Sequence, residues 1–172
     1  MNGFTTYLAA AFVLLLLIAV IIVVRSGHLG KSSFIDQLTY EWKTVELVDA
    51  SGKRLAEVDA RIANTPKKQY IGLSRTKFLG SREGMLFIHD SMDTQVYVMR
   101  QMDFPLDILF IAPDGGITTI HQAECSSGEP PDSDLPRFHG EGKYVLELSL
   151  GTASEVGLDE TGRVVIPDST ES

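Results

Sequence analysis

Tyr97 to His121 read YVMRQMDFPLDILFIAPDGGITTIH, and this stretch decides whether the domain is built on strands or on helices. Leu106 to Ala112 is a run of large apolar residues interrupted only by Asp107. A short apolar run closed by turn residues predicts a buried strand. Pro113-Asp114-Gly115-Gly116 supplies the turn. Proline presets φ at the first central position, aspartate bonds its own backbone, and glycine enters left-handed conformations without strain. Ile117 to His121 is then the return strand of a hairpin. Two features are left over: the polar group Met99-Arg100-Gln101 ahead of the hairpin, and Asp107 itself, a carboxylate that is costly to bury unless paired.

The flanking sequence extends the β reading. Residues 42–63, WKTVELVDASGKRLAEVDARIA, predict a second hairpin joined by Asp49-Ala50-Ser51-Gly52. Thr65 followed by Pro66 marks a helix start, an N-cap and a first-position proline, for a short helix running toward Leu73. Gly84 to His89 and Gln95 to Met99 read as two further strands. Residues 124–142 (ECSSGEPPDSDLPRFHGEG) predict a loop of unusual length, suited to a lid. Lys143 to Leu150 alternates as a strand, Gly151 to Leu158 predicts a short helix ending at Gly157, and Arg163 to Ile166 a last strand. The fold class expected is α+β, mostly β: a compact small barrel or sandwich of short strands with two short helices, preceded by one transmembrane helix.

That helix is read from Phe4 to Val24, FTTYLAAAFVLLLLIAVIIVV, 21 residues without a charge. At about 1.5 Å per residue it spans a hydrocarbon core of about 30 Å. No basic residue precedes it and no small-residue cleavage pattern follows, so an uncleaved anchor is expected rather than a signal peptide. The domain plan is an anchor at 1–25, a linker at 26–42, a globular domain at 43–167 and an acidic tail at 168–172. From Asp36 onward the chain carries 13 basic and 23 acidic residues. That excess of acid excludes nucleic acid as a main partner, because phosphate binding wants clustered cations. Arg25 and Lys31, just after the helix, favour a cytoplasmic domain by charge alone, but long domains are translocated regardless of such a weak bias. Cys125 is the only cysteine, so no intrachain disulfide and no cysteine zinc cluster can form.

In order along the chain stand Gly72-Leu73, Gly84-Met85-Leu86-Phe87, Pro105-Leu106-Asp107-Ile108-Leu109-Phe110-Ile111, Tyr144-Val145-Leu146-Glu147-Leu148 and Gly151. This series, over Val45 to Ile166, resembles the uncharacterised family called domain of unknown function 192. The chain departs from that pattern at Tyr97-Val98-Met99-Arg100-Gln101, where the family has Trp-Met-Lys-Asn. The resemblance implies a compact β-rich domain, often behind a signal peptide or anchor and so often outside the cytoplasm, and it implies no reaction.

The residue types offer several chemistries. Asp107 with Arg100 reads either as a pocket acid–base pair or as a structural carboxylate held by backbone amides or arginine, and the structural reading is preferred. Met85, Met92, Met99 and Met102 with His89 and His121 have the softness for copper(I), but they are scattered and Met is a common core filler. His89, His121, His139 and Cys125 lack metal-ligand spacing, and Cys125 near His121 lacks an orienting third group for nucleophilic catalysis. Glu147 alternates with apolar neighbours and is expected to face solvent. The expectation is therefore a membrane-anchored, extracytoplasmic binding or accessory domain without metal or cofactor. Its partners are the membrane, through residues 4–24, and a small molecule or protein. A ligand site is placed at Met99, Arg100, Gln101, Asp107 and His121; the alternative is a hydrolase using Asp107 with a histidine.

Overall fold

A computed structural model describes residues 39–74, 76–126 and 130–167, which from Tyr40 onward belong to one compact unit. The apolar run Phe4–Val24 and the acidic tail lie outside the described residues. Among the described residues no helix is long and apolar enough to cross a membrane. The elements in chain order are β1 (Trp42–Val48), β2 (Arg54–Ala63), α1 (Pro66–Ile71), β3 (Glu83–Tyr97), β4 (Leu106–Ile111), β5 (Ile117–Ala123), β6 (Phe138–Ser149), α2 (Thr152–Val156) and β7 (Arg163–Val165). The strands form one sheet in the order β5-β4-β6-β3-β2-β1-β7. Neighbours are antiparallel except β2 and β3, which run parallel and are joined by the crossover that contains α1.

Local chemistry sets these elements as the sequence predicts. The Asp49 carboxylate accepts from the Ser51 and Lys53 amides, closing the β1–β2 turn. Thr65 accepts from the Lys68 amide at the start of α1, with Pro66 in its first turn. The sheet then curls until its two edges touch. Gly116 bridges to Arg163, and the Val164 N–H donates to the Gly115 carbonyl at 2.9 Å. Gly115 has φ of 89°, and a Cβ there would stand 2.6 Å from the Val164 carbonyl, so this seam tolerates only glycine. The result is a half-barrel, not a sandwich. Val45, Leu47, Val58, Ile62, Leu109 and Leu146 fill its interior, and Ala153 and Leu158, from α2 and the residues after it, pack into the same core.

The outer face of the sheet is buried as well. β3 and β6 are longer than expected: Gly84–His89 and Gln95–Met99, read as two strands, belong almost entirely to the single strand β3. The predicted loop at 124–142 is shortened likewise, because Phe138 to Gly142 begin β6. After Ile88 the β3–β6 register shifts, and residues 93–97 and 138–142 continue as a paired arm. The arm folds over β4, so that the Phe110 ring occupies the space a side chain on Gly140 would need. With α1 and the segment after it, the arm encloses a second core of Met85, Phe87, Leu106, Ile108, Phe110 and Val145. β4 is consequently buried at every position, which is why its sequence is apolar throughout except at Asp107.

Candidate functional site

Strand register lays a row of side chains across the outer face: Arg61 on β2, Met85 on β3, Glu147 on β6, Ile108 on β4 and His121 on β5. Alternation alone had placed Glu147 in solvent, but the second core covers this face and leaves it 6% exposed. Burial raises the Glu147 carboxyl to about 8, with Arg61, two strands away, pulling in the opposite direction. Glu147 is therefore mostly a neutral acid at pH 7.

Glu147 borders a cleft of about 240 Å³ between α1 and the far half of β3, walled by Tyr70, Phe87, His89, Tyr97, Met99 and Arg100. The Tyr97 hydroxyl and His89 Nε2 share a hydrogen bond of 3.0 Å. Burial lowers the His89 pKa, opposed by Asp90. Burial, and secondarily Glu147, push the Tyr97 phenol above its ordinary range. At the rim the Arg100 guanidinium lies over the Tyr70 ring, 4.2 Å from its centroid. It donates to the Tyr70 carbonyl at 3.0 Å and to the Asp132 carboxylate at 3.1 Å. Arg100 thereby ties the end of α1 to the loop before β6. Gln101 follows with φ of 52°, a left-handed conformation unusual for a residue with a side chain. Beyond Arg100 lies a more polar hollow of about 440 Å³ that Gln101, Asp103 and Asp132 also line.

The expected site residues separate. Met99 and Arg100 line the cleft and the hollow, and Gln101 lines the hollow alone. Asp107 is corrected: it is fully buried on the barrel side of β4, where it accepts from the Gly151 N–H at 3.1 Å and the Ala153 N–H at 2.9 Å. It caps the entry to α2 and meets neither Arg100 nor a histidine, which removes the hydrolase built on it. His121 is corrected too. It lies between Phe110 and Phe138, with ring centroids 5.7 and 5.6 Å away, and its Nε2–H donates to the His139 carbonyl at 2.8 Å. That bond pins β5 to the arm. Met99, Met102 and His89 border the cleft but Met92 is exposed elsewhere, so the methionines do not gather. Among the described residues no three His, Cys, Asp or Glu side chains come together as a metal-holding group. Sequence reasoning missed Glu147 and the His89–Tyr97 pair. The signal was present in Leu106–Ile111: a strand apolar at every position but Asp107 belongs to a sheet covered on both faces, and its neighbour's Glu147 shares that cover.

Fold and cleft together define a mostly-β domain of one curled half-barrel sheet with two short helices and a small outer-face cleft. The chain belongs to the domain of unknown function 192 family (DUF192, Uncharacterized ACR), whose model matches residues 47–166. Two solved structures share the fold. A protein from Sinorhizobium meliloti, described as a putative transcription regulator, is 30% identical with a TM-score of 0.67, over 74% of this chain and 95% of that one. A protein of unknown function from Novosphingobium aromaticivorans is 28% identical with a TM-score of 0.59, over 72% of this chain and 84% of its own. No curated protein matches the chain.

Proposed function

We propose that this protein is a binding module, not an enzyme, and that the α1–β3 cleft takes a small uncharged ligand with a carbonyl or hydroxyl head. The observation that carries the reading is Glu147, buried yet bordering the cleft. As a neutral carboxylic acid it donates one hydrogen bond and accepts another. The Tyr97–His89 pair adds polar atoms, and Phe87, Met99 and Leu106 supply apolar wall for the ligand body. Arg100 and Asp132, linked across the rim, supply a latch between α1 and the loop before β6. The test is a thermal-shift screen of the full chain in detergent micelles against small amides and polyols. A ligand at about 100 times its dissociation constant adds about 2.7 kcal/mol. Hits are then remeasured from pH 6 to 9. Affinity falls above pH 8 in the wild type, as Glu147 loses its proton, and stays level in Glu147→Gln. Identical pH profiles in the two proteins overturn the assignment.

The same proposal places the module on the membrane through Phe4–Val24, with the domain outside. The charge-free length of that run supports the anchor, and the frequent place of the family behind a signal peptide or anchor supports the outer side. The label for topology is a Ser172→Cys substitution in a Cys125→Ser background. Reaction with an impermeant maleimide on intact cells places the domain outside; reaction only after permeabilisation places it inside.

A further inference from the structure

We infer that the open end of the half-barrel is an anion site, separate from the cleft and independent of the reading above. The barrel has two unlike ends. Near one, Asp107 anchors the start of α2, and Ala153 and Leu158 pack into the interior core. At the other end a cavity of about 360 Å³ opens between Lys43 on β1, Ile88 on β3, Tyr144 on β6, the Pro113–Gly115 turn and β7. Three cations line it: Lys43, Lys143 and Arg163. The three meet at one cavity in a chain whose net charge is −8.

Each cation is held in place by the fold. Lys43 has the strand parity of the interior residues Val45 and Leu47, and only 18% of its side chain is exposed. Its ammonium lies 3.7 Å from Glu41, a carboxylate 60% exposed and thus well solvated. The Lys143 ammonium stands 5.6 Å from the centroid of the Tyr144 ring. Arg163 donates to the Asp114 carbonyl and reaches the Asp114 carboxylate at 4.0 Å, which fixes it at the seam where the sheet edges meet. Asp114 and Glu41 are the opposing acids, both largely solvent-exposed, so each offsets the neighbouring cation only weakly. Two lysines and a fixed arginine around one concave, partly apolar cavity suit a small molecule with a phosphate or carboxylate head and a flat or aliphatic body. The low-dielectric walls strengthen the attraction relative to the open surface.

The probes are inorganic phosphate and phenyl phosphate, titrated into the full chain in detergent micelles and followed by amide chemical shifts in NMR. Saturable shifts are expected at residues 43, 143 and 163–165, with phenyl phosphate the tighter of the two. Lys43→Met and Lys143→Met keep the apolar stems and remove the charge, and each weakens binding about fivefold. Arg100→Ala leaves it unchanged, which separates this site from the cleft. Both lysine variants are first checked for a wild-type melting temperature, because Arg163, at the seam, is the residue whose loss would open the sheet. Shifts that rise linearly without saturation overturn the inference. So does wild-type affinity when Lys43→Met and Lys143→Met are combined, or loss of phosphate binding in Arg100→Ala.

Discussion

The sheet of this protein buries one carboxylate on each face, and the two have opposite fates. Asp107, on the barrel side, accepts two backbone N–H bonds at the entry to α2 and is fully consumed by the fold. Glu147, on the outer side, has Met85 and Ile108 for neighbours, and burial raises its pKa against the pull of Arg61 two strands away. Burial of a charge-bearing group is thus no mark of a site. What distinguishes the two is whether the fold supplies donors to the carboxyl, as it does for Asp107, or leaves it at the wall of a cleft, as it does for Glu147.

The largest expected effect lies in the pH dependence of stability. The Glu147 pKa is raised in the folded state, so well below pH 4.5 both states hold the proton and the shift costs no stability. As pH rises, the unfolded chain ionises first, and stability is lost until Glu147 ionises in the folded state near 8; above that it levels. The loss across this window is roughly 3–5 kcal/mol. Glu147→Gln should flatten that part of the profile when urea unfolding is measured from pH 4 to 9. A slope equal to wild type would place the acid in a solvated setting and erase the contrast with Asp107.

Next in size is Asp107→Ala. It strips the acceptor from two amides, one of them buried, and should cost roughly 3 kcal/mol in urea unfolding while ligand affinity in the cleft is retained. Loss of affinity at unchanged stability would return Asp107 to the site. Tyr97→Phe keeps the edge-to-face contacts with Phe87 and Phe110 and removes only the bond to His89. It should cost about 1 kcal/mol. A His89 side-chain shift in NMR reports whether that bond was present. Smallest is Arg100→Ala, about 0.5–1 kcal/mol, since Asp132 is well exposed and solvent screens the pair. Its sharper effect is faster hydrogen exchange at the end of α1 and at 130–135.

Much of the fold was legible along the chain because its signals are local. The Pro113–Gly116 turn, the Asp49–Gly52 turn and the Thr65-Pro66 start are each decided by a few adjacent residues. The misreadings share one cause, the arm of β3 and β6. Its polar, glycine-containing residues, such as Gly140 and Gly142, look like loop, and only the Phe110 ring and the β4 backbone beside them explain why glycines stand there. Of the residues singled out from the sequence, Met99 and Arg100 line the cleft. Asp107 was weighed correctly as chemistry but not as position, since the amides that hold it lie more than forty residues away.

By itself the sequence determined the turns, the short helices, the family and the strands outside the arm of β3 and β6, all of which follow from neighbours in the chain. It also carried the apolar run Phe4–Val24 and the acid excess. The tertiary structure alone decided that the sheet curls shut at Gly115, that its outer face is covered, and hence that Glu147 is buried while Lys43, Lys143 and Arg163 share one mouth. Those are consequences of long-range register, and register is set by what each face of the sheet packs against, a quantity no short stretch of residues contains.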